Sequence, residues 1–438
     1  MFLKHVEISQ IRAIDHVALD FTGEKSAVRP RTVLVGDNNA GKTTVLRAIA
    51  MALAGSDALA QLLGEPGSWV RTGQKEGRIN ATLISPAGRD IEINLTLKPS
   101  WNLRTTLSKN EQSLGVLDSA LAQSAGNFLT MGYGVARCPS DAVQAVAKGS
   151  PASSQHPRAG RVATLFSPHA ALAPLPVWAQ DSAALRALFK TLLPGVAIET
   201  IDHGKPGKPG PGLLLKTPDG VLPFGQLSAA AQTLASLFGD VLHRILGALK
   251  NAKTPLKASG VLLIDELELH LHPLWQRSLV ASISAAFPNL QLIGGSLSPM
   301  LAQQLREREL VLLQRASAKQ GARSDSFAGD PSQLTLSQLM APVFGIGTGD
   351  SERVAALRNL ARASPARLAA HQHIELAQLA PVHELSAPLQ AQLAATTALT
   401  EAIARSAGQS APKLDPAKLR QKMGERIKTA ALRAGAAS

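Results

Sequence analysis

Thr32-Val33-Leu34-Val35-Gly36-Asp37-Asn38-Asn39-Ala40-Gly41-Lys42-Thr43-Thr44-Val45-Leu46 is the stretch on which the rest of the chain turns. The apolar run from Thr32 to Val35 stops at Gly36, the pattern of a short strand buried on both faces. Val45, Leu46, Ile49 and Leu53 then recur at helical spacing. Between strand and helix, Gly36 to Thr43 fits G-x-x-x-x-G-K-[ST]. In that pattern glycines let backbone N–H groups approach phosphate oxygens, the lysine reaches the β and γ groups, and the hydroxyl residue ligates Mg2+. The helix N-terminus adds partial positive charge at the same place. Gly36, Asp37, Asn38, Asn39, Ala40, Gly41, Lys42, Thr43 and Thr44 are therefore the expected ATP-binding loop, with Thr43 on the metal.

A nucleotide-hydrolysing site also needs a carboxylate for its metal. Val261-Leu262-Leu263-Ile264-Asp265-Glu266 supplies a second buried strand that ends in two acids. Asp265 is expected to hold Mg2+ through water, and Glu266 to orient and deprotonate the attacking water. Taken alone, such a run is often only a strand leaving the core; beside the phosphate loop it gains meaning.

The surrounding chain has 438 residues, enough for one large α/β domain with a further module. Hydrophobic residues make up 45% and charged residues 18%, as in folded chains, so disorder is not its main state. The aromatic share is only 3%, which weakens any reading as a base-stacking binder of single strands. A net charge of +13 invites a polyanionic partner, DNA included, though solubility alone also explains it. The single cysteine, Cys138, excludes an internal disulfide framework, has no evident activating neighbour and fits a reducing cytoplasm. No run of about 18 apolar residues is present, so no membrane span is expected.

Several elements can be read around the loop. Val6 and Ile8, then Val17, Leu19 and Phe21, alternate as half-buried strands. Residues 78–97 read as a hairpin turning at Pro86-Ala87-Gly88, expected to flank the nucleotide site. Helices are expected at Leu114–Ala122, Ser182–Leu193 and Ala229–Leu249, with a short strand at Phe128–Tyr133. Gly204 to Gly212, rich in Pro and Gly, reads as an exposed loop between two strands. Past about residue 310 the chain reads as mostly helical. Its tail from Lys413 carries seven Lys and Arg against Asp415 and Glu425, suited to phosphates, to an acidic partner, or simply to a solvated helix face.

At Asp265-Glu266-Leu267-Glu268-Leu269-His270-Leu271-His272-Pro273 the chain resembles ABC-type ATPases related to RecF and SMC proteins, and more narrowly the stand-alone ATPases of bacterial antiphage defence, Septu-like ATPase subunits among them. Val6–Phe21, Gly132–Arg137, Arg161–Phe166, Leu227-Ser228 and Phe287–Pro299 agree with that layout. The resemblance implies an α/β fold: a P-loop ABC-type head over 1–310 with an antiparallel β subdomain and an inserted helical segment at about 100–185, then a helical C-terminal extension over 311–438. It also implies ATP and Mg2+ as ligands, a homodimer or higher oligomer closing on nucleotide, and a separate HNH nuclease as effector. In such dimers each phosphate loop meets the signature motif of the other subunit, which makes Ser228 a trans ATP contact.

Two positions depart from the pattern. The signature Leu-Ser-x-Gly appears as Leu227-Ser228-Ala229-Ala230, placing a methyl group where glycine lets backbone approach the γ-phosphate. The switch Thr-His-Ser-Pro appears as Ser296-Leu297-Ser298-Pro299, and a leucine side chain offers no hydrogen bond. Binding is therefore expected with slow hydrolysis. A repair or chromosome-maintenance ATPase acting directly on DNA, and a degenerate nucleotide-sensing scaffold, remain alternatives. His270 and His272, two apart, do not share a helix face and do not suggest a metal pair; the resemblance makes them an interface joint. Arg137 reads by default as a surface arginine ending a strand, with nucleotide sensing or DNA contact as the sharper alternative. No acidic cluster for DNA cleavage follows residue 300.

Overall fold

The computed structural model describes residues 1–346 without 24–26, 86, 124–127, 138–155, 174, 176–182, 206–207, 250–252 and 316–319, together with Arg353 and Ala356. The chain divides into a compact unit, Met1–Ile346, and a second, Gly347–Ser438. The basic tail and Cys138 lie outside the described residues.

The first unit is built on a ten-stranded sheet. Its strands are β1 (Phe2–Ile11), β2 (Ile14–Asp20), β3 (Arg31–Val35), β4 (Gly77–Ile84), β5 (Asp90–Leu97), β6 (Leu129–Tyr133), β10 (Gly260–Ile264), β11 (Leu290–Ser296), β12 (Leu310–Gln314) and β13 (Ala322–Ser326). They lie in the order β5-β4-β1-β2-β13-β12-β3-β11-β10-β6. From β12 to β6 neighbouring strands run parallel, whereas β5-β4-β1-β2 is antiparallel throughout. This is an α/β architecture with an antiparallel β region, as the sequence indicates.

Strand alternation explains why both faces are covered. Val33 and Val35 point into one core and Leu34 into the other; Leu262 and Ile264 likewise oppose Val261 and Leu263. One face carries α1 (Lys42–Ala52), α2 (Ser56–Leu63), α4 (Glu111–Gln123) and α5 (Pro157–Phe166), after the short α3 (Leu103–Lys109). The other carries α6 (Ala183–Leu192), α7 (Ala229–Ala248), α8 (Pro273–Ala286), the single turn α9 (Pro299–Ala302) and α10 (Leu336–Phe344). Among the described residues no helix is long and apolar enough to cross a membrane.

Two expectations change. Leu310–Ser326, expected to open a helical region, instead carries β12 and β13, which join the two halves of the main sheet with Leu310–Leu313 and Ala322 buried. A short apolar strand beside a Gly-containing loop does not announce its partner, so 311–346 looked like the start of a helical region. The Pro/Gly run is also strand: β7 (Ala197–Lys205) and β8 (Lys208–Thr217) pair with Gly204 opposite Pro209, and β9 (Gly220–Pro223) pairs only with the far end of β8. Pro209 and Pro211 thus fall where β8 has a neighbour on one side only, the place a sheet tolerates missing N–H groups. The β4–β5 hairpin sits at the sheet edge and touches α1, while Ala13 of the β1–β2 turn, Ile14 at the start of β2, and Ala322 stand next to Gly41.

Candidate functional site

Adjacent parallel strands deliver the site residues to one edge. β3, β11 and β10 are neighbours, and the phosphate loop, Ser296 and Asp265 follow or end them at their carboxyl ends, where open α/β sheets hold ligands. The loop leaves β3 at Gly36, where a Cβ would stand 2.2 Å from the carbonyl oxygen of Leu313. Asn39 and Gly41 adopt φ of 65° and 94°, turning the backbone into the start of α1. No side chain caps α1, so its first N–H groups remain available to an anion.

Lys42 and Thr43 sit at the first turn of α1. The buried Lys42 Nζ donates to the carbonyl oxygens of Gly36 and Asp37, at 2.6 and 3.0 Å, and so folds over the concave side of the loop. Burial pushes its ammonium below the usual lysine range, while Asp265, Glu268, Glu266 and Asp37 pull it back. Thr43 Oγ1 donates to Asp265 Oδ2 at 2.5 Å. A hydroxyl, a buried carboxylate, an ammonium and an uncapped helix start around the Gly36–Gly41 turn suit a Mg2+-bound polyphosphate in charge and donor type.

Glu266 lies just beyond Asp265 with φ of 47°, a left-handed backbone that costs a non-glycine residue about 1–2 kcal/mol. Burial, then Asp265 and Glu268, push its carboxyl above the usual range, the direction a general base near neutrality requires. Arg137 supports this turn from behind. Its guanidinium donates to the carbonyl oxygen of Asp265, to that of Glu266 at 2.8 Å and to that of Gly134 at 3.1 Å. Contrary to the surface position expected by default, Arg137 is buried, and burial lowers it to about 10, still protonated at neutral pH. Its N–H fork is spent on backbone, which explains how the strained Asp265-Glu266 turn is held.

Glu268 was given no role by the sequence, yet it fixes the switch. Its Oε2 accepts from Ser296 Oγ at 2.7 Å and its Oε1 from the Leu297 amide at 2.6 Å. Ser298 in turn caps α9 and donates to Gln276 Oε1 at 2.5 Å. The departure at Leu297 therefore leaves the switch backbone anchored. The signal for Glu268 lay in its spacing from Glu266, but only strand pairing shows what it faces. The remaining candidates sit at helix starts and turns: exposed Ser228 caps α7, accepting from the Ala231 amide at 3.3 Å, with Ala230 two residues on. His272 caps α8 and His270 takes φ of 64° in the exposed turn before it.

With this geometry in place, the similarities to known proteins are informative. Residues 5–114 match the AAA domain family. The chain is 25% identical to a Septu protein PtuA of Bacillus mycoides (strain KBAB4) over 318 residues, 71% of this chain and 40% of the relative. It is 34% identical to the Retron Ec83 probable ATPase of Escherichia coli over 101 residues, 22% of this chain and 19% of that one. The chain thus spans less than half the length of either relative. A solved SMC head bound to the C-winged helix domain of ScpA aligns with 75% of this chain and 98% of its own at 16% identity, with a TM-score of 0.46. Residues 5–114 thus fit an AAA domain, in a chain that is similar over part of its length to a Septu protein PtuA and to a retron probable ATPase.

Proposed function

We propose that the chain is the ATP-binding, slowly hydrolysing ABC-type ATPase subunit of an antiviral defence complex, and that it controls a separate effector such as an HNH nuclease. The observation that carries the nucleotide part is the meeting of Thr43 and Asp265 beside the buried Lys42. In this reading the amides of residues 36–44 and Lys42 bind the phosphates, and Thr43 and Asp265 hold Mg2+. The ion would neutralise charge on the β- and γ-phosphate oxygens. Glu266 orients the attacking water and takes its proton, held in place by Arg137 through the backbone. Two heads closing on ATP would bring Ser228 of one subunit to the loop of the other, with His270 and His272 at the joint. Ala230 and Leu297 remove a close backbone approach and a side-chain donor, so closure outlasts a typical turnover.

The similarity to PtuA supports the defence role. The test is reconstitution: the protein co-expressed with an HNH nuclease should form a stable complex whose cleavage depends on Lys42, while the protein alone binds DNA weakly. The net charge of +13 favours a second reading, an ATPase acting directly on DNA. Tight, salt-sensitive DNA binding by the chain alone, with no nuclease complex, would select that reading instead.

A further inference from the structure

Away from the phosphate loop, α5, residues 171–173 and the second half of α7 enclose a cleft of about 550 Å3. Neither residues 36–44 nor Asp265 and Glu266 line it. Its polar wall is formed by Arg161, Asp240, His243 and Arg244, and its apolar wall includes Leu172 and Ala248.

Charge in this wall is unbalanced among the described residues. Asp240, fully buried, accepts from the Tyr133 hydroxyl at 2.8 Å, from the Ala173 amide at 2.8 Å and from Arg244 Nε. Arg244 spends a further donor on the carbonyl oxygen of Gly160 at 2.7 Å. Arg158, on the same helix as Arg161, is 3.3 Å from Asp118. Asp118 and Asp240 thus answer Arg158 and Arg244, and no carboxylate is left for Arg161. Its Nε is buried without a hydrogen-bond partner. Burial, then the neighbouring Arg158 and Arg244, lower its guanidinium to about 10, so it stays charged at neutral pH. Arg161 is half-buried with no carboxylate partner among the described residues, and a charge so placed is costly unless a ligand answers it.

We infer that this cleft binds a small phosphate-bearing ligand, a phosphate monoester whose anionic end pairs with Arg161 while its organic part lies against Leu172 and Ala248. The planar guanidinium fork matches two phosphate oxygens, and the volume lies within the range of small-ligand pockets. The site is separate from the phosphate loop and stands or falls independently of the ATPase reading.

The experiment is calorimetric titration of the full chain carrying Lys42→Ala, which disables the phosphate loop, with inorganic pyrophosphate in the absence of Mg2+. One equivalent should bind. Arg161→Met should weaken it by about tenfold or more, and Arg161→Lys by less. Gly247→Glu, at a cleft-lining helical position where an added Cβ meets nothing within 4 Å, should also weaken it by bringing a carboxylate to the rim. That variant keeps the test decisive if Arg161→Met does not fold. No binding to the Lys42→Ala chain, or binding indifferent to the Arg161 and Gly247 changes, overturns the inference. So does Arg161-dependent binding of an oligonucleotide without binding of pyrophosphate.

Discussion

The hydroxyl of Thr43 and a carboxylate oxygen of Asp265 stand 2.5 Å apart although 222 positions separate them in the chain. One residue lies in the first turn of α1 after β3 and the other directly follows β10; β11 lies between these strands. Three parallel strands in register therefore bring a hydroxyl and a buried carboxylate to the place where a metal-bound phosphate would sit. If Asp265 holds Mg2+ there, Asp265→Asn should make ATP affinity nearly indifferent to Mg2+. The unaltered protein should lose about tenfold or more when the ion is chelated, the value of a charge-assisted contact. Equilibrium titration with and without a chelator measures both.

In the proposed role as general base, Glu266 would act only when deprotonated. Its folded-state pKa is raised by burial and by Asp265 and Glu268, so the acidic limb of the turnover profile should lie above the ordinary carboxylate range and activity should climb as pH rises through it. Glu266→Gln should retain ATP while turnover falls about 100-fold or more and that limb disappears. A steady-state pH profile of both proteins checks the sign.

Glu268→Ala removes the acceptor of both Ser296 Oγ and the Leu297 amide. Ser296 is buried, so leaving these donors unmet should cost about 1–3 kcal/mol, seen as a lower denaturant midpoint at unchanged slope. If the proposed nucleotide site is right, turnover should fall as well, because the Ser296-Leu297 segment loses its anchor.

Behind the site, Tyr133 and Asp240 offer a graded comparison. Tyr133→Phe removes one donor from a carboxylate that keeps Arg244 and the Ala173 amide, and should cost about 1–2 kcal/mol. Asp240→Ala strands Arg244 and should cost about 3–5 kcal/mol. Chemical denaturation of the two variants separates the losses.

Much of this arrangement was legible in the order of residues. Thr32–Val35 announces a buried strand, Gly36–Gly41 a tight turn into a helix and Val261–Glu266 a second strand leading into two acids, because each depends on local pattern. Glu268 and Arg137 were not legible in the same way. Their roles arise from contacts across strands, Glu268 to the end of β11 and Arg137 to backbone carbonyls of the Asp265-Glu266 turn. A side chain that bonds to backbone has no partner residue type to betray it. The β7–β8 hairpin was hidden for a different reason: Pro and Gly oppose strand formation in general, yet a one-sided ladder accepts them.

The measurement that bears most directly on the central claim is ATP binding and turnover by the purified chain, set beside Lys42→Ala and the double change Ala230→Gly plus Leu297→His. The account predicts binding by the unaltered protein, its loss in Lys42→Ala, and slow turnover that quickens only when the two altered positions are restored. Undiminished ATP binding by Lys42→Ala would contradict the phosphate loop as the site. Brisk turnover without the restoration would contradict the slow, long-closed head.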